Sequence, residues 1–145
     1  MGLFGKKKSA DEWLNKAEEL IKKAEFDRGI ICCDEALKIG QNNARAWYNK
    51  GSALDYLRKY DEAIKCFDEA IKIDPQDART WNSKGIALYN LRKYDEAIKM
   101  YDEAIKIDPK LAEAWNEKGI ALNSLGKHDE AQNCYDKAIE LCKMN

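Results

Sequence analysis

His128 is the only histidine in the chain, and no second base or nucleophile is spaced to partner it, so it supports no nucleophilic or acid–base constellation. The five cysteines invite a metal or redox reading, yet no Cys-x-x-Cys pair occurs. Cys32, Cys66 and Cys134 fall instead on multiples of one 34-residue interval, with Met100 at the missing step. A slot that accepts Cys or Met is a soft apolar position, and thiolates separated by whole repeats lie too far apart to share a zinc ion. Adjacent Cys32 and Cys33 are the remaining redox candidate. An odd cysteine count argues against a complete disulfide framework and for a reducing, cytoplasmic location. The acidic pairs Asp61-Glu62 and Asp95-Glu96 open helix-period segments, where they complement the helix dipole rather than perform acid–base work. The residues therefore point to no cofactor, no metal and no enzyme.

The 145 residues carry 25 Lys+Arg against 26 Asp+Glu, a formal net charge of −1, which lacks the basic footprint of a general nucleic-acid binder. With 45% hydrophobic residues the chain can build a core, and its mean hydropathy of −0.69 marks a charged surface. No apolar run approaches the roughly 18 residues that a membrane span needs. Residues 1–9 are expected to form a flexible basic tail. Its Lys6-Lys7-Lys8 triplet is too weak on its own for stable membrane attachment, and its order of charge and apolarity does not suit a secretory signal.

Positioning falls to a repeat. Trp13, Trp47, Trp81 and Trp115 stand 34 residues apart. The same interval relates Gly51, Gly85 and Gly119; Leu54, Leu88 and Leu122; Ala63, Ala97 and Ala131; and Phe67, Tyr101 and Tyr135. Ala36, Ala70, Ala104 and Ala138 follow, and Pro75 and Pro109 end two of the units. A fixed period of this size signals stacked repeats. Each unit reads as two helices: Trp81, Gly85, Leu88 and Leu91 share one helical face, and Ala97, Ile98, Tyr101, Ala104 and Ile105 another. The polar turn Arg92-Lys93 separates them, and Asp108-Pro109 stops the second. No segment alternates with period two. A glycine inside a helix costs about 1 kcal/mol against alanine, so Gly51, Gly85 and Gly119 imply close approach of the paired helix, with its recurring Ala as the expected neighbour.

Trp, Gly, Leu, Ala, aromatic, Ala and Pro at these offsets closely resemble the tetratricopeptide repeat. The resemblance covers residues 10–145 as units 10–43, 44–77, 78–111 and 112–145. It implies an all-α fold, a right-handed α-solenoid of four antiparallel helix-turn-helix repeats. The first helix of each pair would line a concave groove that binds an extended or short helical segment of a protein or peptide partner. Carried onto this sequence, the groove includes Arg45, Tyr48, Ser52 and Tyr56, then Arg79, Asn82, Tyr89 and Asn90, then Asn116 and Asn123. Tyrosine offers rigid apolar area with a polar tip, and asparagine offers a donor and an acceptor to a peptide backbone. The family's grip on chaperone C-terminal carboxylates is not expected, because neither possible window supplies the basic fork that a carboxylate needs.

The end units depart from the pattern. In the first, Ala17 stands in the Gly slot, Gly29 in an Ala slot and Cys33 in the aromatic slot. In the fourth, Gln132 replaces an isoleucine and Lys143 a proline. No polar capping helix follows within the sequence, so Ile139 and Leu141 are expected to be partly exposed. The alternative reading of function follows from that end: a self-associating scaffold, a homo-oligomer formed through the C-terminal helix.

Overall fold

The computed structural model describes residues 5–144. Met1–Phe4 of the expected tail and Asn145 of the expected fourth unit lie outside them. Eight helices follow in order: α1 (Ala10–Lys22), α2 (Phe26–Ile39), α3 (Ala44–Tyr56), α4 (Tyr60–Ile73), α5 (Ala78–Asn90), α6 (Tyr94–Ile107), α7 (Ala112–Ser124) and α8 (His128–Lys143). The described residues contain no strand.

Local chemistry sets the boundaries. Ser9 Oγ accepts from the Glu12 N–H (3.2 Å), Asn43 Oδ1 from Ala46 (3.0 Å) and Asp77 Oδ1 from Arg79 (3.0 Å), which caps α1, α3 and α5. Between the helices of each pair the chain turns through one left-handed residue: Ala24 (φ 60°), Arg58 (φ 62°), Arg92 (φ 62°) or Gly126 (φ 76°). The next N–H then reaches back to a helix carbonyl, as Lys93 does to Leu88 at 2.9 Å. Only the last turn uses the residue suited to that conformation. Relieving the side-chain strain gains about 1–2 kcal/mol, part of which is offset by the extra unfolded-state freedom of glycine. Arg92→Gly is therefore expected to raise stability by about 0.5–1 kcal/mol, read as a higher urea midpoint with an unchanged slope.

Packing within each pair centres on the recurrent glycines, but their neighbour is not the one the sequence suggests. A Cβ on Gly51, Gly85 or Gly119 would stand 2.7, 2.5 or 2.6 Å from the ring of Phe67, Tyr101 or Tyr135. An aromatic ring, not an alanine, fills the space. The first pair shows the converse: Ala17 faces a small Cys33, and both are fully buried.

Between pairs, the last three tryptophans tie the junctions. The indole N–H groups of Trp47, Trp81 and Trp115 donate to the carbonyls of Gln41, Pro75 and Pro109, each at 2.9 Å. Three ion pairs repeat with the same period: Lys50–Asp34 (2.7 Å), Lys84–Asp68 (2.6 Å) and Lys118–Asp102 (2.7 Å). Ala46, Ala53, Ala87, Ala114 and Ala121 are fully buried, and Thr80 nearly so, on the faces that meet the preceding pair. In α1 the same slots hold Glu12 and Glu19, both exposed, because no pair precedes it among the described residues.

The odd-numbered helices touch one another along the stack (α1 with α3, α3 with α5, α5 with α7), whereas no even-numbered helix touches the next. The odd helices therefore lie on the inside of the curve. The molecule is an all-α solenoid.

At the far end, Ile139 is 53% exposed, as expected, but Leu141 is buried. Leu141 continues the inward stripe of Ala131, Cys134 and Ala138 along α8.

Candidate functional site

Because the odd helices line the inner curve, positions just after each tryptophan share one concave surface. At its centre a cleft of about 170 Å³ is lined by Tyr48, Ser52, Asp55 and Tyr56 of α3, Ser83 and Ile86 of α5, and Glu113 of α7, with Phe67 behind. Beside it, toward α1, a second cleft of about 310 Å³ lies among Glu18, Arg45, Tyr48, Asn49, Asp77 and Arg79.

The residues singled out from the sequence fall into three groups. Tyr48, Ser52 and Tyr56 meet in the central cleft, Tyr48 joining it to the lateral one. Tyr56 is 66% exposed and stacks on Phe26, with ring centroids 4.9 Å apart and planes at 9°. Arg45 and Arg79 line the lateral cleft, but both guanidinium groups are engaged. Arg45 donates to Glu18 (2.8 Å) and to Asn15 Oδ1 (2.7 Å). The hydrogen bond from Arg45 holds the Glu18 carboxyl below the usual carboxylate range, although Glu18 is partly buried. Arg79 forks onto both Asp77 oxygens (3.1 and 3.0 Å), with its guanidinium carbon 5.5 Å from the centre of the Tyr48 ring.

The remaining five stand apart. Asn82 is 3% exposed. Asn90 is exposed at the end of α5. Asn116 lines a different cleft, of about 620 Å³, with Tyr135, Ile139 and Cys142 at the C-terminal end. Asn123 is engaged inside its own helix pair: it donates to the Tyr135 hydroxyl (3.1 Å) and its Oδ1 accepts from His128 Nδ1 (2.9 Å). That contact also gives the lone histidine, the first residue of α8, a structural role. Tyr89 lies nearby, its hydroxyl hydrogen-bonded to Ser124 at 3.1 Å.

Sequence reading gave too little weight to the acids. Asp55 and Glu113 line the central cleft, and Glu117 stands one turn beyond Glu113 on the same face of α7. No ion pair forms at any of the three among the described residues. Burial pushes the Asp55 carboxyl above its ordinary range. Burial, then the neighbouring Glu113, does the same to Glu117. The signal was present as two glutamates four apart with no lysine on that face.

A raised carboxyl pKa means that the fold favours the neutral form. Stability from Asp55 is full below the unfolded carboxylate pKa of about 4 and is lost as pH rises through the raised folded value. Asp55→Asn is therefore expected to unfold at higher urea than wild type at pH 7. The two midpoints should converge in acid, where both side chains are neutral.

The thiols show no sign of reactivity. Cys32, Cys33, Cys66 and Cys134 are buried and free. Burial lifts the Cys33 thiol to about 12 and Cys66 to about 11. Brief iodoacetamide treatment of the native protein should modify Cys142, the exposed one, and spare the other four by peptide mass spectrometry. Among the described residues, no group of three or more His, Cys, Asp or Glu is placed to hold a metal ion. None of the helices is long and apolar enough to cross a membrane.

Stacked helical hairpins with a continuous concave face define a repeat scaffold of the protein-interaction class. The tetratricopeptide repeat family model matches residues 44–77, 78–111 and 112–145, and the chain belongs to that family. Solved structures share the fold. A crystal structure of MamA superposes with a TM-score of 0.86 at 23% identity, covering 93% of this chain and 79% of that one. The structure described as MamA 41-end from Desulfovibrio magneticus RS-1 gives 0.85 at 21% identity, over 94% and 77%. No curated protein matches the chain by sequence.

Proposed function

We propose that the concave face of α3, α5 and α7 binds an extended or short helical segment of a partner protein. One observation carries this reading: side chains from three successive odd helices converge on a single cleft, with Tyr48, Ser52, Ser83, Ile86 and Glu113 around it. A chain segment lying across the helices would touch all three, and the mixture of aromatic, hydroxyl and carboxylate groups suits side-chain and backbone contacts together. Residues 10–43 are read as a divergent first repeat whose Glu18 and Asn15 fix Arg45 at the groove's edge. Tyr48→Ala combined with Ser52→Trp, which fills the cleft, should reduce partner capture from the native lysate while leaving the thermal unfolding profile cooperative. Undiminished capture by that variant would place the binding surface elsewhere.

A second reading, self-association through the C-terminal end, is favoured by the apolar cleft between α7 and α8 and by the exposure of Ile139. Sedimentation over a hundredfold concentration range tests it. Mass should rise with concentration in wild type and stay monomeric in Ile139→Lys. A wild-type protein that remains monomeric throughout removes this reading.

A further inference from the structure

The unpaired acids give the groove a chemical preference. We infer that its preferred occupant is a cationic side chain, Lys or Arg, carried by the bound peptide and held between Asp55 of α3 and the Glu113–Glu117 face of α7. The inference rests on the groove reading above and specifies its partner.

Three observations support it. First, the concave face is divided by charge. The cations at the α1–α3 end are internally satisfied, Arg45 by Glu18 and Arg79 by Asp77. Lys118, the basic residue next to Glu117, is tied to Asp102 at 2.7 Å. Asp55, Glu113 and Glu117 form no ion pair among the described residues, so negative charge stands uncompensated toward α7.

Second, Asp55 Oδ1, on the wall of the central cleft, is buried and lacks any hydrogen bond. Buried acceptors left unmatched cost free energy in the empty protein. An ionised carboxylate can only accept, so Asp55 calls for a donor. A guanidinium or ammonium group brings several N–H donors and a positive charge, and meets both deficits at once.

Third, the walls suit the stem of such a residue. Tyr48 and Ile86 offer apolar area beside Asp55, along which the methylene groups of Lys or Arg can lie while the charged head reaches the carboxylates. A carboxylate-bearing ligand would meet like charge and no free cation in the central cleft.

The test uses the full chain and a randomised decapeptide display library as the probe. Enriched sequences should contain Lys or Arg at a fixed position. For the tightest of them, replacing that residue by Gln should weaken binding at least tenfold. Asp55→Asn with Glu117→Gln should produce a similar loss, while the variant remains folded by circular dichroism. Enrichment of acidic or uncharged sequences whose binding is abolished by Tyr48→Ala would overturn the cationic preference and leave the groove standing. Sequences indifferent to both Tyr48→Ala and the double acid variant would overturn the preference and the groove reading together. So would a library that enriches nothing.

Discussion

Gly85→Ala should destabilise the protein by about 2 kcal/mol, and the sign of its effect should reverse when Tyr101 is also changed. The added Cβ would stand 2.5 Å from the Tyr101 ring. That ring is fully buried, so it cannot swing into solvent to make room. Overpacking of this kind costs about 1–3 kcal/mol, with the tighter contact toward the upper end. Alanine recovers about 1 kcal/mol of helix propensity, which leaves a net loss. In the Tyr101→Cys background the obstruction is gone, and Gly85→Ala should then stabilise by up to about 1 kcal/mol. Tyr101→Cys alone is costly, by about 3–5 kcal/mol for the cavity, so the informative quantity is the coupling, about 3 kcal/mol. The first helix pair already contains this combination, with Ala17 facing Cys33. Urea unfolding of the four proteins completes the cycle. Additive effects would mean that the glycine is present for another reason.

The second large effect concerns the seams between pairs. Ala87 is fully buried among Leu54, Ala63, Cys66 and Phe67 of the preceding pair. Ala87→Glu would bury a carboxylate with no cation to meet it, a loss of about 3–5 kcal/mol, enough to separate the array into parts or unfold it. A glutamate occupies this slot two repeats earlier without harm. Glu19 occupies the corresponding position of α1, is exposed, and pairs with Lys23 at 3.0 Å. Glu19→Ala should leave the unfolding midpoint essentially where it is. The same side chain is tolerated at the end of a stack and excluded from its interior, because only the interior position lacks water. If Ala87→Glu unfolds with the wild-type midpoint, the pairs do not stack through this face.

How far the sequence carried the fold can be judged from these same residues. The 34-residue interval of the tryptophans defines the unit, and the indoles of Trp47, Trp81 and Trp115 prove to be ties across the unit junctions. Helix pairing follows from the apolar faces and from the Asp-Pro and Arg-Lys breaks. The concave placement of Tyr48, Ser52 and Arg79 follows from helical phase once the first helix of each pair is set inside the curve. Periodicity says which face a residue occupies but not what meets it there. The glycines announced a close approach, yet the body that approaches is a ring one helical turn from the recurring alanines on either side of it. Asn82 and Asn123 sit at phases that point into the groove. One is buried nonetheless, and the other is engaged by Tyr135 and His128, contacts fixed by the neighbouring helix. The burial of the acids is not legible in the sequence for a related reason. A glutamate on a helix surface is usually solvated, and only packing reveals that Asp55 and Glu117 are half withdrawn from water without a partner.

The central claim is that the inner curve, not the outer helices or the C-terminal end, receives the partner. Amide chemical shifts of the labelled protein during titration with the tightest library decapeptide test it most directly. The expected shifts gather on α3, α5 and α7, at Tyr48, Ser52, Ser83 and Glu113, and vanish when Tyr48 is replaced by Ala. Shifts confined to α4, α6 or α8, with the odd helices silent at saturation, would contradict the account.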